Sequence, residues 1–270
     1  MLKHFIIVIF MAVAALPLHS QTINATYAKA LQQKYPSAKS DLCTACKLWV
    51  NPYFKSIADT VEHRPLVTYY VYTQAHRLLQ EQSDLPRTGT HAAWRPGYGQ
   101  SNETAVYKQA NEESPDMIAK GHCQAWILLA WCTDAAILSD TYTFNAAMEY
   151  QGQNIGTELA SEELCRELAG HGKLAVTDSV HIWCGTFGNQ HVFVGAEVSD
   201  VLPAFYYKII KYRDRATGQQ IERCYWLPNK PDEIRAKLPQ RLVSHAQLVA
   251  SLGYDPEMVF KPEQGVYQEK

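Results

Sequence analysis

Two β-rich segments joined by a short polar turn constrain this chain more than any other feature. Residues 204–212 (AFYYKIIKY) and 222–227 (ERCYWL) are dense in aromatic and β-branched side chains, and DRATG at 214–218 lies between them. Such side chains fit a pleated, half-buried surface, and Asp with Gly supplies the turn, so the pair reads as a β-hairpin. Residues 66–73 (LVTYYVYT), 180–184 and 191–198 have the same strand character. Residues 124–138 are apolar and helix-compatible, and 158–169 (ELASEELCRELA) are rich in strong helix formers. Ser244 is placed to cap a short helix that Gly253 closes. Strands in series with helices inserted between them predict an α+β fold with a largely antiparallel central sheet flanked by helices.

The N-terminus bears on compartment. Lys3 precedes an unbroken apolar run over 5–15, and Pro17 and Ser20 follow. Residues 1–20 therefore read as a secretory signal peptide. The run falls short of the roughly 20 apolar residues that a membrane span requires. The mature chain is accordingly expected to be secreted or periplasmic, with no stable membrane insertion. Behind the signal, residues 21–60 read as a mostly helical extension, 61–262 as the main domain and 263–270 as a short polar tail. Residues 83–116 form a long polar stretch punctuated by Gly89, Pro96, Gly97, Gly99, Asn102 and Pro115, which reads as a loop.

Seven cysteines remain for that compartment, and the odd number leaves at least one unpaired. Cys43 and Cys46 form a lone C-x-x-C. No second pair completes a zinc site, and no βαβ context suggests a redox motif. A structural role is expected, with one disulfide reaching a third cysteine elsewhere.

Hydrophobic residues make up 47% of the 270 positions, which excludes a disordered chain, and the formal net charge of -2 excludes a uniformly basic nucleic-acid coat. A polyanion would have to meet a local basic surface. Lys208, Lys211, Arg213, Arg215 and Arg223 cluster around the predicted hairpin and supply a candidate, with Lys208 and Arg213 as substrate contacts. The same charges would equally suit a solvated edge that discourages strand pairing.

Two segments carry candidate chemistry. One is Ile118-Ala119-Lys120-Gly121-His122; the other runs from Asn145 through Asn154 and Glu162 to Arg166. Glu162 and Arg166 are four apart and become neighbours on a helix, with Asn154 about two turns upstream. An amide oxygen, a carboxylate and a guanidinium in one row suit a hydrated divalent cation beside a phosphate. Taken alone the spacing is weak, because Glu and Arg at i, i+4 usually mark only a solvated helix face.

The order of these residues resembles the DNA/RNA non-specific endonuclease family, the ββα-metal nucleases of secreted bacterial and mitochondrial endonuclease G type. That family carries Asp-Arg-Gly-His, then an asparagine segment leading into a helix with Leu-Glu and Arg. Here Lys120-Gly121-His122 stands at the first motif and Asn145 at the first asparagine. Asn154 stands at the metal-ligand asparagine, Glu162 at the glutamate and Arg166 at the arginine. SVHIWCGTFG, VLPAFYYKIIKY, RCYWLPN and VSHAQLVASLGYD resemble the family's later strands and closing helix, so the likeness spans about 64–260. It implies a ββα-metal nuclease fold and hydrolysis of DNA or RNA phosphodiesters with Mg2+ (or Mn2+). Within that reading His122 is the general base and Asn145 supports its surroundings. Asn154 binds the ion, Glu162 holds its waters, and Arg166 neutralises the phosphate. Lys120 keeps a charge, and Arg77, with Arg87 second, is the upstream arginine. An oligomer is compatible with the sequence.

Departures accompany the likeness. Ala119 and Lys120 replace Asp and Arg, Met148-Glu149 replace Pro-Gln, Ser161 replaces the helix leucine, and Glu158 stands where Trp is usual. Glu158 is then either an added ligand or an exposed side chain. These changes leave two alternatives open: a nuclease-fold binding or interaction module without activity, and a disulfide-stabilised structural domain.

Overall fold

The computed structural model describes residues 25–83, 85, 103–171, 176–195 and 199–262. The expected signal peptide, the tail and Arg87 lie outside these residues. The framework is an eight-stranded antiparallel sheet with strand order β1-β2-β3-β4-β7-β10-β11-β12. Its strands are β1 (Ala38–Lys39), β2 (Cys46–Val50), β3 (Lys55–Asp59), β4 (Arg64–Thr73), β7 (Ser179–Phe187), β10 (Phe205–Arg213), β11 (Gln220–Pro228) and β12 (Leu242–Val243).

The 205–228 hairpin is present as expected, with Tyr207 opposite Trp226 and Ile209 opposite Cys224. Asp214 Oδ1 accepts the amides of Ala216 and Thr217 at 3.0 and 2.8 Å, and Gly218 takes φ +71°. That left-handed position favours glycine.

Residues 21–60 depart from expectation. Helix α1 (Ala25–Gln33) is followed by β1, β2 and β3, which extend the central sheet through β3–β4 pairing. The segment is thus part of the sheet and not a helical appendage. The reason is local: CKLWV and KSIAD are each one strand long, and each buries apolar side chains such as Trp49 and Ile57. Cys43 and Cys46 pair with each other at this edge, so no third cysteine is needed. Cys123, Cys132, Cys165, Cys184 and Cys224 are free thiols.

Alternation along β4 explains how one sheet carries two cores. Tyr70 and Tyr72 join Ile182, Tyr206 and Ile210 beneath α4 (Trp126–Leu129), α5 (Thr133–Ser139) and α6 (Leu159–Leu168). Tyr69 and Val71 join Trp183, Tyr207 and Ile209 beneath α7 (His245–Leu252) and α8 (Pro256–Val259). Successive strand residues point to opposite faces, so LVTYYVYT serves both. Ser244 and Gln247 form the capping box of α7, and Gly253 closes it at φ +77°.

Helix α2 (Gln74–Gln82) follows β4, capped by Thr73. Within the expected 83–116 loop lies α3 (Glu103–Glu113). The apolar 124–138 segment is two short helices, α4 and α5, broken at residues 130–132. Within the expected strand 191–198 the described residues include β8 (His191–Val194), which pairs with β9 (Ser199–Leu202) in a separate ribbon; residues 196–198 lie outside the described residues. A second ribbon, β5 (Ile118–His122) with β6 (Ala146–Tyr150), leads into the turn that carries Asn154. This ribbon and the helix after it form the ββα unit.

Candidate active site

His122 ends β5 opposite Ala146. Its Nε2 lies 2.9 Å from Oδ1 of Asp140, a carboxylate with no solvent exposure. Lys120, two residues earlier, points to the same face, with Nζ 5.3 Å from the Tyr142 ring centre. Burial lowers the Lys120 pKa, and Asp140 offsets this in part. Asp140 gave no signal in the sequence; it sits in an ordinary SDTYT segment, and only folding brings it to His122.

Asn145 is wholly buried and braces the residues just after His122. Its Oδ1 accepts Gln124 N at 2.8 Å, its Nδ2 donates to Gln124 O and Ser139 O at 2.9 Å, and its own carbonyl accepts Cys123 N at 2.7 Å. The buried amide leaves no polar atom idle, which is what such a site demands.

Asn154 opens a π-helical turn, Asn154–Glu158, that precedes α6. Its Nδ2 donates to Glu149 Oε2 at 2.9 Å. Burial, reinforced by the Glu158 and Glu162 charges, pushes Glu149 well above the usual carboxylate range. Glu149 lies behind Gly121, where an added Cβ would meet Oε2 at 2.2 Å. Gly121 and His122 point to alternate faces of the ribbon. The structure therefore turns the imidazole toward Asp140 and the Asn154 amide toward Glu149.

The end of β6 is fixed from the hairpin. Asn229 Oδ1 accepts Tyr150 N at 2.9 Å, and Nδ2 donates to Met148 O at 3.1 Å and Pro203 O at 2.9 Å. The Leu-Pro-Asn at 227–229 thus has a structural use, visible in the sequence only as a fragment of the resemblance.

Arg166 and Arg77 come together. Arg77 is buried, donates Nε to Ala169 O at 3.2 Å and pairs with Glu81 at 2.5 Å. Glu81 reaches His171 Nδ1 at 2.9 Å, and that nitrogen lies 3.4 Å from Arg166 Nη2. Arg166 Nε and Tyr72 Oη are buried without a hydrogen-bond partner among the described residues.

Glu158 and Lys208 depart from expectation. Each is about 1% exposed, and they form an ion pair that also takes in Ser161 Oγ at 2.9 Å from Nζ. Burial opposes the Lys208 charge, but Glu158 outweighs it and holds the ammonium protonated. Lys208 is therefore a core residue and not a surface substrate contact, because β10 is central in the sheet and this position faces α6. Glu158 is neither exposed nor directed to solvent. The rest of the basic cluster is largely engaged: Lys211 with Glu222 and Glu257, Arg215 with Asp178, and exposed Arg213 with Gly218 O at 3.0 Å.

Residues 5–257 match the family described as DNA/RNA non-specific endonuclease.

The chain belongs to the DNA/RNA non-specific endonuclease family.

The fold agrees: the chain is similar to one in a solved EndoG/EndoGI complex described as showing the mechanism of EndoG inhibition. The TM-score is 0.58 at 15% identity, covering 76% of this chain and 83% of that one. That identity supports an EndoG-like fold alone. No curated protein sequence matches significantly. Among the described residues no helix is long and apolar enough to cross a membrane.

The donor set at Asn154 fits a hard divalent ion of the kind this endonuclease family typically uses. With Nδ2 committed to Glu149, the amide presents Oδ1, and Glu162 is close enough to raise the Glu149 pKa. Along the same turn and on Glu149, both ends of the Gln153 amide, Thr157 Oγ1, Glu149 Oε1 and Glu158 Oε2 are buried without a hydrogen-bond partner among the described residues. A native fold rarely leaves so many orphaned unless water or an ion serves them.

Proposed function

We propose that the chain is a secreted or periplasmic endonuclease that hydrolyses phosphodiester bonds of DNA or RNA with little sequence preference, dependent on Mg2+ or Mn2+. The family supports the reaction class. The observation that carries the residue assignment is the Asn154–Glu149 hydrogen bond, which commits the amide nitrogen and leaves the oxygen as the group a metal ion would use at the start of the helix. Magnesium accepts one such oxygen and keeps most of its waters. Bound there, the ion would stabilise negative charge on the leaving 3' oxygen.

The chain's own groups do the remainder. Asp140 accepts Nε2–H of His122 and fixes the tautomer in which Nδ1 carries the lone pair. Nδ1 takes the proton of the water that attacks phosphorus. Arg166 neutralises the phosphate, and Arg77 holds it in place through Glu81 and His171. Asn145 keeps the end of β5 in register. Glu162 orders water around the ion.

A second reading is a nucleic-acid-binding relative without hydrolysis. It is favoured by Ala119 in place of Asp, and by the separate carboxylates to which His122 and Asn154 turn.

The test is cleavage of plasmid DNA and structured RNA by the mature chain in magnesium, manganese or calcium, beside His122→Ala and Asn154→Ala. Cleavage lost in both variants, with circular dichroism unchanged, is expected. Tight binding without cleavage in any of these metals, equal in wild type and His122→Ala, would establish the second reading.

A further inference from the structure

A second cluster lies on the far face of the sheet, under α7 and α8. Glu222 and Cys224 are two apart on β11 and share a face. His245 is the first residue of α7, which packs on that strand. The carboxylate oxygen, Sγ and imidazole nitrogen of these three residues all lie within 4.8 Å of one another. His245 Nδ1 is 3.2 Å from Glu222 Oε2 and 3.7 Å from Glu257 Oε1. Two ligands each about 2.0 Å from a tetrahedral zinc ion stand about 3.3 Å apart. One edge of such a tetrahedron is therefore already in place.

The charges also point to a cation. Glu222, Asp255 and Glu257 surround His245, and Lys211 is the ammonium among them, at 3.1 Å from Glu222 and 2.6 Å from Glu257. Carboxylates outnumber it. Nothing in the proposed cleavage reaction uses these residues, and the site is chemically unlike the Asn154 turn because it offers sulfur and nitrogen.

We propose that Glu222, Cys224 and His245, with Glu257 or water as the fourth ligand, form a binding site for a borderline-soft divalent cation of the zinc type. Lys211 holds the place between the carboxylates when no ion is bound. Its side chain is 20% exposed, so the ammonium can move to solvent as the ion enters. Binding converts the Cys224 thiol to thiolate and releases its proton to water. The ion then ties β11 to the start of α7.

Cobalt(II) is the probe, added to the full mature chain after dialysis against chelator, without thiol reductant. A thiolate-to-cobalt charge-transfer band is expected at one equivalent, and zinc should erase it. Cys224→Ser should abolish the band, and His245→Asn should weaken cobalt binding by roughly tenfold or more. Lys211→Gln should tighten binding, because it removes the competing ammonium. His245→Asn and Lys211→Gln carry the test should Cys224→Ser not fold. No band in wild type overturns the proposal. So does a band that survives Cys224→Ser and His245→Asn, or cobalt affinity unchanged by Lys211→Gln, which would leave only an ion-pair network. These readouts do not depend on nuclease activity.

Discussion

Asn154 donates its side-chain amide to Glu149, a carboxyl that the fold buries completely. The resemblance places glutamine where Glu149 stands. A carboxyl held above its usual range stays neutral further up the pH scale and, like a glutamine amide, offers an accepting oxygen. One position can thus exchange the two while keeping the Asn154 amide turned the same way.

Glu149→Gln is therefore expected to retain cleavage, whereas Glu149→Leu should lose it by freeing the Asn154 amide to rotate. The check is the magnesium dependence of initial rates: half-saturation unchanged in the first variant and raised, with a lower plateau, in the second.

Stability should follow the same group with pH. Its folded pKa is raised above the ordinary 4.5, so the folded state binds the proton more tightly than the unfolded chain does. That contribution is fully present below about pH 4.5 and is lost as pH rises toward the folded pKa. Urea midpoints for wild type should fall across that interval relative to Glu149→Gln, whose profile should be flatter. Parallel profiles would show that Glu149 is not the group responsible.

Removing the base should cost about 10²–10⁴-fold in kcat, the usual weight of general base catalysis, and His122→Ala measures it. Asp140→Asn tests orientation. It should lower kcat with KM nearly unchanged and move the acid limb of the pH–rate profile, because an amide no longer stabilises the imidazolium. A loss confined to KM, or matched by lower thermal stability alone, would reduce Asp140 to packing.

Lys208 and Glu158 predict a stability result with no catalytic cause. Removing one partner strands a buried charge, so Lys208→Met or Glu158→Leu should each destabilise by about 3–5 kcal/mol. The double replacement should recover most of that loss or exceed wild type, as read from denaturant midpoints. Additive losses in the double variant would mean that the ion pair is not the source.

The hairpin at 205–228, the strand 64–73 and the capped helix 245–252 were legible because each encodes itself locally, through aromatic alternation, Asp–Gly turn chemistry or a capping Ser with a closing Gly. The family likeness was legible from the spacing of His122, Asn145, Asn154, Glu162 and Arg166. What could not be read were relations made only in three dimensions. Asp140 meets His122 from the end of α5, and Asn229 pins a strand far earlier in the chain. Lys208 looked like part of a basic stripe, yet strand alternation at the centre of the sheet turns it inward to Glu158. The 38–59 strands were missed because each is too short for its period to stand out.

Gly152 and Gly156 bracket Asn154, and a Cβ on either would strike the backbone, at 1.8 Å from Pro231 O and 2.5 Å from Glu233 O. The ligand turn is thus seated on a bed laid by the last quarter of the chain. A premature stop soon after residue 228 would remove that bed along with α7 and α8. Such a fragment could retain every residue assigned to chemistry and still have no fixed place from which an amide oxygen could greet an ion.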